Sequence, residues 1–134
     1  MDEKNLDLVS QLTPDEKVIA EFRLRSVCPN DRKYGKTTNK LRDYLSAEAE
    51  WKECARIQSV LLEVRANYGQ AKPEQVREVV DALDKIDLLN ISLLEEIGRH
   101  VSPETKALLH PGTTSYDILD TARTHLIQRA WKEK

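Results

Sequence analysis

The chain has 134 residues, a net charge of −2, 40% hydrophobic and 33% charged residues, and only four Gly and five Pro. That length holds one core of ordinary size, and the balance suits a helix-rich domain better than a sheet protein or a disordered segment. Lys and Arg alternate with Asp and Glu along the chain, which argues for solvated helix faces and against a general affinity for nucleic acid.

The N-terminus, Met1-Asp2-Glu3-Lys4-Asn5, is polar and no apolar run follows it, so no signal peptide is expected. No apolar run approaches membrane-spanning length. Cys28 and Cys54 lie far apart, without metal-ligand spacing around them, and read as reduced thiols. The expectation is a cytoplasmic protein with neither metal nor cofactor.

In chain order, Leu6, Leu8, Val9 and Leu12 form a weakly amphipathic opening segment. Thr13-Pro14-Asp15-Glu16 then starts a helix, with Thr13 as cap, Pro14 at the first position and Glu16 closing a capping box. Val18, Ile19 and Phe22 give it one apolar face, read as a packing face. From Cys28 to Thr37 the turn formers Pro29, Asn30, Asp31 and Gly35 predict a loop. Arg32, Lys33, Lys36 and Tyr34 lie on it, a set able to contact a phosphate, although composition alone favours an ordinary solvated loop.

Leu41 and Leu45 occupy a short helical turn, and Ser46 caps a long helix whose first turn carries Glu48 and Glu50. Trp51, Cys54, Ile57, Leu61, Val64 and Tyr68 form its apolar stripe, and Gly69 stops it. Lys72-Pro73-Glu74 restarts a helix with Val76, Val79, Val80 and Leu83 as its buried face. After a break over 84–87, Leu88, Leu89, Ile91, Leu94 and Ile97 continue the apolar pattern to Gly98. Ser102-Pro103-Glu104 opens one more short turn. No alternating run or hairpin signal predicts a strand, so the fold class is all-α.

The most distinctive stretch is His110-Pro111-Gly112-Thr113-Thr114-Ser115-Tyr116-Asp117. A Pro–Gly turn and three hydroxyl residues lead into a last helix bearing Ile118, Ala122, His125, Leu126 and Arg129. Gly112 allows close backbone approach, Ser115 is placed as the cap, and amides at such a helix start can cradle an anion. That helix runs to Lys134 without a capping change, so a longer parent protein is expected, with a frayed natural terminus as the alternative.

His110-x-Gly112-x-Thr114-Ser115-x-Asp117-x-x-Asp120-Thr121-Ala122 resembles the first signature region of the fumarase/aspartase superfamily, in the branch of adenylosuccinate lyase and carboxymuconate cycloisomerase. Upstream, Asp31-Arg32-Lys33-Tyr34-Gly35 resembles the Asp-Ser-Arg-Tyr-Gly loop of adenylosuccinate lyases, and the run from Leu45 to Gly69 resembles the helix after that loop. The resemblance implies a helical lyase N-terminal domain over 28–112, preceded by an extension over 1–27 and followed over 113–134 by the start of the first long helix of a central bundle. It implies a carbon–nitrogen lyase of purine biosynthesis that releases fumarate from adenylosuccinate, in a homotetrameric parent. It assigns Thr114 and Ser115 to a succinyl carboxylate, His110 to the substrate pocket, and Lys33 and Tyr34 to the nucleotide phosphate. The only partner it implies is an adenylosuccinate-like small molecule, with no nucleic acid and no membrane.

Two departures accompany the match. Leu89-Asn90-Ile91 stands where many such lyases carry His-Asp-Val, and Lys33 replaces a bidentate Arg. Asn90-Ile91-Ser92-Leu93-Leu94 also resembles the asparagine-led segment of the cycloisomerase branch. The family's catalytic base loop and later acid histidine would lie beyond Lys134. The resemblance therefore implies substrate-binding residues here and no complete catalytic set, and a non-catalytic helical interaction module is the alternative.

Overall fold

The computed structural model describes residues 9–28, 31–90 and 92–133, and of Asp31, Arg32, Tyr34 and Gly35 the backbone alone. Leu6, Leu8 and Ile91 lie outside the described residues. Every regular element among them is helical: α1 (Pro14–Arg25), α2 (Asp31–Thr38), α3 (Arg42–Leu45), α4 (Ala47–Asn67), α5 (Pro73–Leu83), α6 (Leu93–Gly98), α7 (Pro103–Lys106) and α8 (Ser115–Lys132), with 3-10 turns at Val9–Gln11 and Asn39–Leu41. None of these helices is long and apolar enough to cross a membrane.

The caps follow local chemistry. Thr13 Oγ1 accepts from the Glu16 amide at 3.3 Å while the Glu16 carboxylate accepts from the Thr13 amide at 2.9 Å, so α1 opens with a reciprocal box. Ser46 Oγ accepts from the Ala49 amide at 3.1 Å and starts α4. At the other end Gly69 takes φ +71°, with Gln70 N–H donating to Arg65 O at 2.9 Å and Gly69 N–H to Ala66 O at 3.0 Å. This Schellman geometry needs a left-handed residue, and glycine supplies it without Cβ strain.

The long helix α4 is central, packed against α5 on one side and α8 on the other. Two clusters form its flanks. Ala55 and Leu62 meet Val79, Ala82 and Ile97 in one, and Cys54 meets Ile118 and Ala122 in the other. Alanines at 55, 82 and 122 are at most 1% exposed and let the backbones approach closely. Because α4 serves two neighbours, its buried arc is wider than one stripe and takes in Glu53, Gln58 and Ser59.

Three expectations are corrected. The segment read as a loop over 28–37 contains a helix, α2, which the interior Gly35 does not break. α1 buries no residue, and Val18, Ile19 and Phe22 are exposed. α1 meets α4, with Arg25 paired to Glu48, but among the described residues no element covers its apolar side chains. Val64, Tyr68 and Val80, placed on buried faces by periodicity, are exposed as well, since a helix buries only the arc that faces its neighbours.

Candidate functional site

The turn before α8 is built from strain and clamps. His110 adopts φ +67° and Gly112 φ +72°. For a non-glycine residue the left-handed region costs roughly 1–2 kcal/mol, so something must hold His110 there. Two side chains of α4 do so. Arg65 donates from Nη1 to Leu108 O at 2.8 Å and from Nη2 to Pro111 O, spanning the turn. One heptad earlier on the same face, Gln58 Nε2 lies 3.0 Å from His110 Nδ1. With the amide donating, Nδ1 accepts and the neutral ring carries its proton on Nε2. Gln58 Oε1 is then buried without a hydrogen-bond partner among the described residues.

Thr114, not Ser115, caps α8: it is extended at φ −97°, ψ 161°, and Ser115 is the first helical residue. The Asp117 carboxylate accepts from the Thr114 amide at 2.8 Å. The offset arises because Asp117 stands at the third helical position only when Thr114 is the cap, where its carboxylate can receive the cap amide; the Thr114 hydroxyl makes no capping bond in return. The carboxylate also places negative charge at the positive end of the α8 dipole.

Together these elements enclose a cleft of about 270 Å³. α4 contributes Trp51, Cys54 and Gln58 to its wall. Ser92, Leu93 and Leu94 form a second side at the start of α6, and α8 contributes Ser115, Ile118 and Leu119, with His110 at the rim. Among the described residues no Lys, Arg, Asp or Glu lines it. Burial, with the Glu50 charge nearby, pushes the Cys54 thiol up to about 11, so it lines the wall as a small apolar group and is no nucleophile near neutral pH.

Of the residues singled out in the sequence, His110 and Ser115 thus share this cleft. Thr114 is exposed beside it and does not line it. Lys33 is exposed on α2 and also does not line it, and the Tyr34 side chain lies outside what is described. His100 is engaged elsewhere, 3.3 Å from the Glu96 carboxylate. Gln58 and Arg65 are the residues that sequence reading missed. Their signal was polar side chains seven residues apart on a helix face otherwise carrying apolar ones.

A second buried carboxylate braces α8 against α4. Glu53 is 4% exposed and accepts from Arg56 Nε at 2.9 Å, with His125 Nδ1 of α8 at 2.7 Å. Burial alone would raise its carboxyl, but the Arg56 and His125 bonds outweigh it and hold it below the usual carboxylate range. Outside the cleft, Arg123 pairs with Glu50 through two bonds, at 2.8 and 3.2 Å, across the same helix pair. No group of metal-ligating side chains is assembled among the described residues. No family model, curated protein or solved structure matches this chain.

Proposed function

We propose that this chain is the substrate-holding part of a lyase similar to adenylosuccinate lyase, in which the start of α8 receives one carboxylate of a succinyl group. The supporting observation is the convergence of His110 and Ser115 on one cleft, at the N-terminus of an 18-residue helix whose first amides lack helical partners. The Ser115 hydroxyl and those amides would donate to the carboxylate, and the His110 ring would donate from Nε2. With no charged residue in the wall among the described residues, binding there depends on fixed dipoles, and the Asp117 carboxylate in the same turn opposes it.

The three histidines are all engaged: His110 with Gln58, His100 with Glu96, and His125 with Glu53. None is paired with a second free acid–base group in the cleft, as proton abstraction and leaving-group protonation require. The chain alone should therefore release no fumarate from adenylosuccinate. The binding step is tested by titrating succinate while following backbone amide resonances. Shifts confined to Thr114, Ser115 and Tyr116, weakened by Ser115→Ala, are expected. Absence of any shift at these amides would sink the reading.

A second reading, a helical module that docks a partner, is favoured by one observation. α1 presents Val18, Ile19 and Phe22 along an open apolar groove next to Val27 and Cys28. Light scattering across a concentration series tests its simplest form. Self-association abolished by Phe22→Asp would favour it, and a monomer at every concentration would count against self-association.

A further inference from the structure

We infer that the cleft between α4, α6 and α8 binds a neutral bicyclic aromatic molecule carrying one N–H or O–H donor, with the ring system against Trp51 and the donor on Gln58 Oε1. This is independent of the carboxylate reading, because such a ligand carries no acid group.

Size is the first consideration. A cavity of roughly 150 Å³ accommodates one benzene ring, and this cleft measures about 270 Å³, which matches two fused rings. Chemistry is the second. The wall is Trp51, Leu93, Leu94, Ile118 and Leu119, with the un-ionised Cys54 thiol, and has no charged side chain among the described residues. A multiply charged ligand would exchange its hydration there only for the dipoles of Ser115, His110 and the first α8 amides, whereas a neutral aromatic loses little and gains packing on the Trp51 ring.

The third consideration sets polarity. Gln58 is 3% exposed, its Nε2 is committed to His110, and its Oε1 has no partner. A buried amide oxygen in that state costs about 1–3 kcal/mol, and a ligand donor would recover it once a small rotation of the Gln58 side chain brings Oε1 to the cleft wall. The site therefore selects a donor over an acceptor. If the His110 ring instead carried its proton on Nδ1, Gln58 would turn over and expose its NH₂, and the site would select an acceptor. The experiment separates these two states.

Indole is the probe, compared by calorimetry with 1-methylindole, which has the same rings and no N–H, and with quinoline, which offers only an acceptor. Saturable binding of indole is expected, with 1-methylindole weaker by about fivefold or more, the worth of one hydrogen bond. Amide and side-chain resonances of Trp51, Gln58 and His110 should move together. Leu94→Phe, which fills the cleft from a half-buried position outside the core clusters, should abolish binding while leaving the far-ultraviolet dichroism unchanged. Equal affinities for indole and 1-methylindole, a preference for quinoline, or no resonance shift up to the solubility limit of indole would each overturn the inference. The succinate titration involves none of these probes, so either reading can fail alone.

Discussion

Replacing Glu96 gives the sharpest check on how the cleft wall is held. Its carboxylate is 5% exposed and receives four donors: the Asp87 amide at 3.0 Å, Asn90 Nδ2 at 2.6 Å, Arg99 Nη1 at 3.0 Å and His100 Nε2 at 3.3 Å. Two of these, Asp87 N–H and Asn90 Nδ2, belong to the stretch that leads into Ser92 and the cleft. In Glu96→Ala both would lose their acceptor in a part-buried setting, at about 1–3 kcal/mol each, whereas the Arg99 and His100 side chains turn to water. The expected loss is therefore about 2–6 kcal/mol. Glu96→Gln should behave differently. One oxygen still serves Asp87, and the new NH₂ faces Asn90, whose Oδ1 is buried without a partner. Asn90 need only turn over to accept from it, so the loss should fall to about 1 kcal/mol, mainly the missing charge toward Arg99. Urea unfolding of both variants, and of Asn90→Ala combined with Glu96→Ala, reads the difference. Equal losses for the Ala and Gln variants, or strictly additive effects of the Asn90 and Glu96 changes, would refute the reasoning.

Acid should weaken the fold through the same groups. Burial pushes the Glu96 carboxyl up, but its donors hold it below the ordinary value, as Arg56 and His125 do for Glu53. A depressed carboxyl stabilises the folded state above its unfolded value of about 4.3 and loses that contribution as pH falls toward its folded value. Melting temperature should therefore hold from neutral pH to about pH 5 and then fall, and Glu96→Gln should flatten the decline; an unchanged acid limb would contradict it. With Cys54 2% exposed and its thiol raised to about 11, a thiol reagent near pH 8 should modify Cys28 first and Cys54 at least about tenfold more slowly until denaturant is added. Equal rates in the native protein would rule this out. Gly69→Ala should cost about 1 kcal/mol, all of it from backbone strain at φ +71°, since an added Cβ would have nothing within 4 Å. A neutral outcome would mean that the turn relaxes out of the left-handed region.

Local chemistry was legible in the sequence wherever one side chain decides one terminus. Thr13, Ser46, Gly69 and Ser102 each act where their residue type and spacing place them, and the helices that bury a periodic apolar face, α5 and α8, were readable for the same reason. What escaped depends on neighbours. Val18, Ile19 and Phe22 have the spacing of a buried face, but burial needs a second surface, and periodicity says nothing of whether one arrives. α2 escaped because Gly and Asn–Asp weigh toward a turn when read singly, while the helix forms over Asp31–Thr38 regardless. In the cleft, His110 and Ser115 belong to the stretch whose composition stands out in the sequence. Gln58 does not stand out, because a glutamine on a long charged helix looks like any solvated residue until the fold turns it inward.

The strain at His110 bears on whether the turn is a connector or part of a site. A connector has no use for a left-handed histidine, because glycine at 110 would adopt φ +67° freely, as Gly112 does two residues on at φ +72°. Histidine there sacrifices roughly 1–2 kcal/mol and returns the Gln58 hydrogen bond, worth about 1 kcal/mol, and a half-buried ring. These terms nearly cancel, so His110→Gly should change stability by no more than about 1 kcal/mol. Its effect on the cleft should be large by comparison. Gln58 loses the partner that fixes its orientation, the amide turns freely, and the indole preference over 1-methylindole should disappear. Urea unfolding and calorimetry on the one variant measure both quantities. A large stability loss with the ligand preference intact would reverse the argument, making the ring a packing element and leaving Gln58 fixed by something other than His110.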